Sequence, residues 1–479
     1  MKKIPLIISL ALALIGCTKQ GAVPEAQVSP GIQDDNPGIS RDIVSLTADD
    51  AVTVAQMFCS KEGKTKGGEF KNVKDVVTLS GNDGSANMYA VNFCNDEGFI
   101  LVSATKKFFP ILAEVEKGKF DDSIYQTGAS VLLDEYNQSI DYYKAAPQEE
   151  VDKSFAAMWR AYEKKADVSA FLKTKSYEDD LMNLVPAAMH EWAEDGYSVY
   201  PLCNAQDCGI PQSIYNQWYN LASSEANQHY DFEENSFVIK MTEYIPSSRG
   251  PLLSTIWHQG NPYNLSTPVI NNEHLPVGCV PVAIGQIMKY HQWPSTISWQ
   301  NKPDYLPTST NTTTPLSDFL YDVGQACAVQ YWLGQTGSDS FLASLALRFS
   351  YNYTCDIINH NSMYDYQDII QGYPVYMEGQ RLDEQGHPVG HAWVCDGANN
   401  ITIREIYYLK IISVTDNPLH FETAGQPYET SYGTMSLHMN WGGWPNGWDF
   451  SGWYADGTGY YSGYYPLNRK DIIHIRPNN

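Results

Sequence analysis

The chain is short of positive charge: 31 Lys and Arg stand against 55 Asp and Glu, a formal net charge of −24 over 479 residues. That balance suits neither a nucleic acid nor an anionic lipid surface, so both are excluded as partners. Long apolar runs are missing as well. The stretch Ile4–Ile15 is too short to cross a bilayer. Histidine is sparse, 11 in all. His387 and His391 stand four apart, but no Cys/His/Asp cluster at ligand spacing surrounds them, which argues against a zinc pair there. What is present is a hydrophobic content of 43 %, enough for a sizeable core, with 33 Tyr and 12 Trp that crowd the C-terminal third.

Residues 1–16 read as an export signal rather than as part of the fold, with Lys2-Lys3 ahead of the apolar core. It ends in Leu14-Ile15-Gly16-Cys17, which resembles the lipobox of bacterial lipoproteins. The resemblance implies cleavage before Cys17 and lipid on its sulfur and new amino end. The chain would then be anchored to a membrane, the outer one being the expectation; plain secretion is the alternative. Residues 17–41, rich in Pro, Gly, Asp and Ser, read as a flexible tether.

Residues 42–479 are too many for one typical domain. Thr47-Ala48-Asp49-Asp50 caps a helix running to about Cys59, with an acidic residue three positions after the Thr. Met88–Phe93 and Gly98–Ser103 read as strands around an Asp96-Glu97-Gly98 turn, and Ile111–Val115 as a third strand. Residues 121–235 look helical, as in Val131–Tyr143 and Val151–Lys164. Export permits disulfides; Cys203–Cys208 is the favoured pair among the nine Cys, and Cys59–Cys94 a second candidate.

The chemistry concentrates further on. Gly278-Cys279-Val280-Pro281 reads as a loop that delivers one cysteine to a helix start: Gly278 supplies a turn with positive φ, and Pro281 suits the first helical turn. A helix N-terminus favours thiolate over thiol, as a nucleophile requires; a small buried cysteine packing the helix start is the plainer alternative. Gly390-His391-Ala392-Trp393-Val394-Cys395-Asp396-Gly397 reads as a strand that presents an imidazole at its beginning, beside a neighbouring strand in 372–378. A core histidine is the competing reading. Asn440-Trp441 offers an amide to orient that imidazole and an indole to cover it. Gln259, in Trp257-His258-Gln259-Gly260, offers a donor for an oxyanion hole.

That order of motifs resembles the streptopain family of bacterial cysteine peptidases, a branch of the papain-like proteases. The likeness runs from Pro251 to the C-terminus through Trp257-His258-Gln259-Gly260-Asn261-Pro262-Tyr263-Asn264, Gly278-Cys279-Val280, Leu320-Tyr321-Asp322-Val323-Gly324, Gly390-His391-Ala392-Trp393-Val394 and Asn440-Trp441-Gly442. It implies a papain-like α+β catalytic domain over 236–479, with Cys279 as nucleophile, His391 as base, Gln259 as oxyanion donor and Trp441 as shield. No metal or cofactor enters that chemistry. Tyr89–Phe93, Gly98–Ala104 and Pro110–Ala113 resemble the streptopain-type prodomain, which implies an α+β inhibitory prodomain and helical linker region over 42–235. The implied protein is a zymogen of a cysteine endopeptidase. Its partners would be protein or peptide substrates and its own prodomain.

Two departures bear on the groove. Val280-Pro281-Val282 replaces the small residues usual after the cysteine, and the second Trp of Asn440-Trp441-Gly442-Gly443-Trp444-Pro445 is displaced by one position. Self-cleavage is expected within 225–250, with Val238-Ile239-Lys240 offering a site after Lys240, unless those residues form a first strand. A transglutaminase-like or amidase relative would carry the same Cys-before-His order; a non-catalytic binding lipoprotein on the same scaffold is the other alternative, although an inactive relative would be expected to lose Cys279 or His391.

Overall fold

The computed structural model describes residues 38–61, 71–164, 181–225, 235–332, 335–383, 385–413, 419–442, 450–456 and 469–478. The expected signal, the lipobox Cys17 and Trp444 lie outside them. Among the described residues, no helix is long and apolar enough to cross a membrane.

The N-terminal half forms as its pattern dictates. Helix α1 (Ala48–Lys61) starts where Asp50 N donates to Thr47 Oγ1 at 3.2 Å and Thr47 N donates to Asp50 Oδ2 at 2.9 Å. Strands β1 (Val73–Ser80), β2 (Ala86–Phe93), β3 (Phe99–Ser103) and β4 (Ile111–Val115) form an antiparallel meander. One face packs on α1 through Val54, Tyr89 and Val102; the other packs on α2 (Ala129–Ala145) through Leu101, Leu132 and Tyr136. Helix α3 (Lys153–Trp159) ends the half, buried through Phe155 and Trp159.

Residues 181–225 attach elsewhere. Helix α4 (Leu184–Glu194), strand β5 (Ser198–Pro201) and helix α5 (Gln212–Glu225) cover β6 (Phe237–Arg249) and the far end of a long hairpin. That hairpin is β13 (Pro388–Ser413) with β14 (His420–Asn440). The 26-residue β13 far outruns the short strand expected around His391, because burial alternates onward through Ile403, Glu405, Tyr407, Leu409 and Ile411. Two small hairpins, β7 (Val269–Ile270) with β8 (Glu273–His274) and β9 (Gln330–Trp332) with β10 (Gln335–Gly337), decorate the loops. Helices α6 (Cys279–His291), α7 (Pro315–Ala326) and α8 (Ser340–Leu345) stack on one face of the C-terminal part of the sheet. Strand β11 (Tyr353–Asn359), helix α9 (Ser362–Gln371) and strands β12 (Val375–Leu382), β15 (Gly452–Ala455) and β16 (Lys470–Pro477) complete an α+β fold.

The sheet does not stop between the halves. Its order is β1-β2-β3-β4-β15-β14-β13-β12-β16-β11, and Trp453 and Tyr454 of β15 pair with Glu114 and Ala113 of β4. Helix α2 lies over that seam, so one apolar core runs from Phe108 through Leu132 and Tyr136 to Leu437 and Tyr454.

Two expectations fail. Cys208 is a thiol that donates to Ala205 O, and Cys94 is likewise unbridged, so neither expected disulfide forms. The segment Val238-Ile239-Lys240 is no exposed junction. It is the paired, buried half of β6, with Lys240 only 4 % exposed. A protease needs an extended, accessible backbone, and here both edges of the segment are occupied, by β13 and β5.

Tyr136 sits at the seam, its hydroxyl 3.0 Å from Leu112 O and 2.6 Å from Ala455 O. Tyr136→Phe removes the single hydroxyl proton shared between two buried carbonyls and should cost about 1–3 kcal/mol. Hydrogen exchange should locate the loss at β4 and β15; uniform destabilisation would contradict this role for the hydroxyl.

Candidate active site

Cys279 opens α6, and Gly278 ahead of it has φ 101°, a conformation that an L side chain rarely adopts. The helix is anchored through Ile284, Ile287 and Met288, all fully buried. The backbone N–H groups of Ala392, Val280 and Cys279 itself favour the thiolate form of Cys279 electrostatically. Ala392 follows His391 in β13, so the helix start and the strand start meet there. Val277 N donates to Gln259 O at 2.8 Å, which holds the Trp257–Gly260 segment beside the same turn.

All five residues expected from sequence (Gln259, Cys279, His391, Asn440 and Trp441) line one cavity of about 20 Å³. That volume holds a single water and no peptide. Asn440 does not pair with the imidazole. Its Nδ2 donates to Thr255 O at 2.9 Å, and its Oδ1 accepts from Gly442 N at 3.1 Å. His391 Nε2 instead lies 3.3 Å from the Trp441 carbonyl. A carbonyl only accepts, so Nε2 carries the proton and Nδ1 is the basic nitrogen. Trp441 packs against Trp393 and Tyr454, with centroids 4.8 and 5.3 Å away.

Sequence reasoning missed two contributors. Gln286, on α6, is 1 % exposed; its Oε1 accepts from Trp257 N at 3.3 Å and its Nε2 donates to Asn440 Oδ1 at 3.4 Å. It therefore ties the Gln259 and Asn440 segments to the cysteine helix. Its place on the inner side of an apolar helix was the available signal. The other contributor comes from the N-terminal half. Thr127 lines the cavity, and a Cβ on Gly128 would come within 2.3 Å of His391 Cδ2 and 2.7 Å of Trp441 Cε3. Only glycine permits that approach. Arg381 of β12 straps the segment down, with Nε donating to Ser130 Oγ at 3.0 Å and Nη2 to Tyr125 O at 3.1 Å.

Covering has an electrostatic result. Burial pushes the Cys279 thiol above its ordinary value, although the three N–H groups pull the other way. Burial also takes His391 down to about 4, against the weaker opposing effect of the Trp441 carbonyl. Burial thus disfavours the charged form of each group while the site is covered.

Residues 257–315 and 295–454 match the family model described as Peptidase C10 family, and residues 44–140 match that described as Spi protease inhibitor. The chain is 25 % identical over 290 residues to the thiol protease/hemagglutinin PrtT of Porphyromonas gingivalis, covering 50 % of this chain and 29 % of that protein. It is 30 % identical over 204 residues to streptopain of Streptococcus pyogenes, covering 32 % of this chain and 49 % of that one. It thus spans less than half the length of either relative. A solved Prevotella intermedia prointerpain A fragment aligns at 15 % identity and a TM-score of 0.41, over 85 % of this chain and 99 % of that one. At that score the fold rests on this chain's own topology.

The His391 shift fixes a pH dependence. A solvated imidazole titrates near 6.5. Between that value and about 4, the uncovered site takes up a proton that the covered site refuses. Covering is thus fully favoured by this group above pH 6.5 and weakens as pH falls. In a Cys279→Ala chain, amide protection factors across 125–131, corrected for the intrinsic pH dependence of exchange, should fall from pH 7 to pH 5, and His391→Gln should flatten that fall. An equal fall in both chains would contradict the assignment.

Proposed function

We propose that this chain, which joins a Peptidase C10 segment to a Spi-type inhibitor segment, is the zymogen of a cysteine endopeptidase that cleaves protein or peptide substrates. The observation that carries the reading is the seating of Gly128 on His391, over a cavity too small for substrate. Gly128 falls within the inhibitor match, whereas Cys279 and His391 fall within the peptidase match.

Catalysis begins once the strap lifts and water returns. His391 Nδ1 takes the Cys279 proton while the Trp441 carbonyl holds Nε2–H and keeps the tautomer fixed. The thiolate attacks the peptide carbonyl; the Gln259 amide and the Cys279 backbone N–H receive the oxyanion at the positive end of α6. The imidazolium protonates the leaving amine, and water activated by His391 then frees the acyl-enzyme. Asn440 serves by fixing the Thr255 and Gly442 backbone, and Trp441 by walling the histidine. The inhibitor half acts in cis as the chain's own partner.

Export with lipid on Cys17 is part of the proposal, supported by Lys2-Lys3, the short apolar core and Leu14-Ile15-Gly16-Cys17. Cys17→Ala should abolish incorporation of labelled fatty acid; undiminished labelling would contradict it.

Cys279→Ala should abolish both proteolysis and self-conversion while the chain still folds. Gln259→Ala should leave activity about 10²–10³-fold lower. Gly128→Leu cannot seat against His391, so its self-conversion should outpace wild type, read as processed chain on a gel over time. Unchanged kinetics would remove Gly128 from the lock. The new N-terminus, mapped by mass spectrometry, should fall outside the paired stretch Val238–Lys240.

A further inference from the structure

Away from the active site, a histidine and a set of carboxylates are buried together where β11, α9 and β16 converge. His360 leaves β11, Asp365 belongs to α9 and Asp471 to β16. Both aspartates are fully buried and His360 is 9 % exposed. His360 Nδ1 lies 2.9 Å from Asp471 Oδ2 and 3.5 Å from Asp365 Oδ2. One ligand atom from each of the three lies within 4.8 Å of the others. We propose that His360, Asp365 and Asp471 form a structural site for a first-row divalent cation of the Zn²⁺ or Mn²⁺ class.

Three observations carry this beyond a cluster of acids. Both carboxylate oxygens of Asp365 and Oδ1 of Asp471 are buried without a hydrogen-bond donor. The cations nearby are already engaged: Arg469 reaches Glu135 at 3.1 Å and Asp456 at 3.3 Å, leaving His360 to be shared between Asp365 and Asp471. Buried carboxylates without donors are costly unless a positive charge compensates them, and a divalent ion compensates two at once. The second observation is the outer partner. His360 Nε2 lies 3.1 Å from Asp456 Oδ1, the carboxylate–imidazole arrangement that orients a ligating histidine and leaves Nδ1 for the metal. The third is access. His360 and Asp456 line a cavity of about 510 Å³, which reaches the outer side of the site.

The donor set selects the ion. One imidazole nitrogen with carboxylate oxygens suits Zn²⁺ or Mn²⁺, whereas Ca²⁺ and Mg²⁺ favour oxygen-only shells. Binding would replace the Nδ1 proton, and the proton that burial favours on Asp365, by the metal and release both to solvent. The ion would pin α9 to β16. It would also brace Arg469, which holds Glu135 of the inhibitor helix α2.

The test uses the full-length Cys279→Ala chain, which cannot process itself and lacks the nucleophilic thiol. After chelation and dialysis, isothermal titration with Zn²⁺ should give one equivalent bound, and saturation should raise the melting temperature; Ca²⁺ at equal concentration should do neither. Co²⁺ in the site should show d–d bands without sulfur charge transfer, which separates it from the buried cysteines. His360→Gln and Asp365→Asn should each lose the equivalent. Asp456→Asn should retain it with about 10–100-fold weaker affinity, guarding against loss through misfolding. Absence of stoichiometric binding, sulfur charge transfer, or equal binding by His360→Gln and Asp365→Asn would overturn the site.

Discussion

The contact between Gly128 and His391 is the constraint on which the rest depends. A backbone without a side chain lies against the imidazole and the Trp441 ring, and no bulkier residue fits. Water leaves, and with it the solvation that a thiolate and an imidazolium need. In the proposed zymogen, inhibition would therefore be dielectric as well as steric: the cavity is too small for a peptide, and burial disfavours the charged forms of Cys279 and His391. The docked state also carries a cost, since the Trp441 indole N–H is buried without a partner. Relief of that cost, together with rehydration of His391, favours release once the chain is cut.

Holding such a strap in place requires rigid attachment on both sides. The continuous sheet supplies it through the β4–β15 pairing, and α2 supplies the lever that ends in Gly128. Two part-buried ion pairs of opposite polarity fix the register. Arg160 makes a bidentate pair with Glu405, at 3.1 and 2.8 Å, and Glu135, within the inhibitor match, pairs with Arg469. A buried carboxylate stripped of one partner is strongly destabilised, on the order of 3–5 kcal/mol. Glu405 keeps Lys240 at 3.3 Å when Arg160 departs, so the catalytic half retains a counter-charge.

Much of this was legible in the sequence, and the reasons differ by element. The Thr47–Asp50 cap, the β2–β3 turn and the Cys279 helix start obey local rules, and local rules hold where the backbone must satisfy its own hydrogen bonds. The five candidate residues, which line one cavity, could be picked out because each motif carries a distinct chemistry. What failed was non-local. Whether the imidazole pairs with Asn440 Oδ1 or Trp441 O depends on side-chain direction at the end of β14, which no spacing encodes. Val238–Lys240 looked like a junction because a short apolar run beside polar residues reads as either strand or linker, and pairing with β13 decides it. Gly128 carries no sequence mark at all, since its role arises from a surface hundreds of residues away.

The rate at which iodoacetamide alkylates Cys279, followed across pH in the intact chain and again after the inhibitor half has been removed, tests the central claim most directly. With the strap in place, alkylation should be slow at neutrality and rise only in alkaline solution, following the raised thiol. After removal, a fast rate should appear on a plateau reaching below pH 7, the mark of a thiolate held by an imidazolium. The same low-pH plateau in the intact chain, merely scaled down, would show that the strap blocks access without altering the charge state, and would contradict the account.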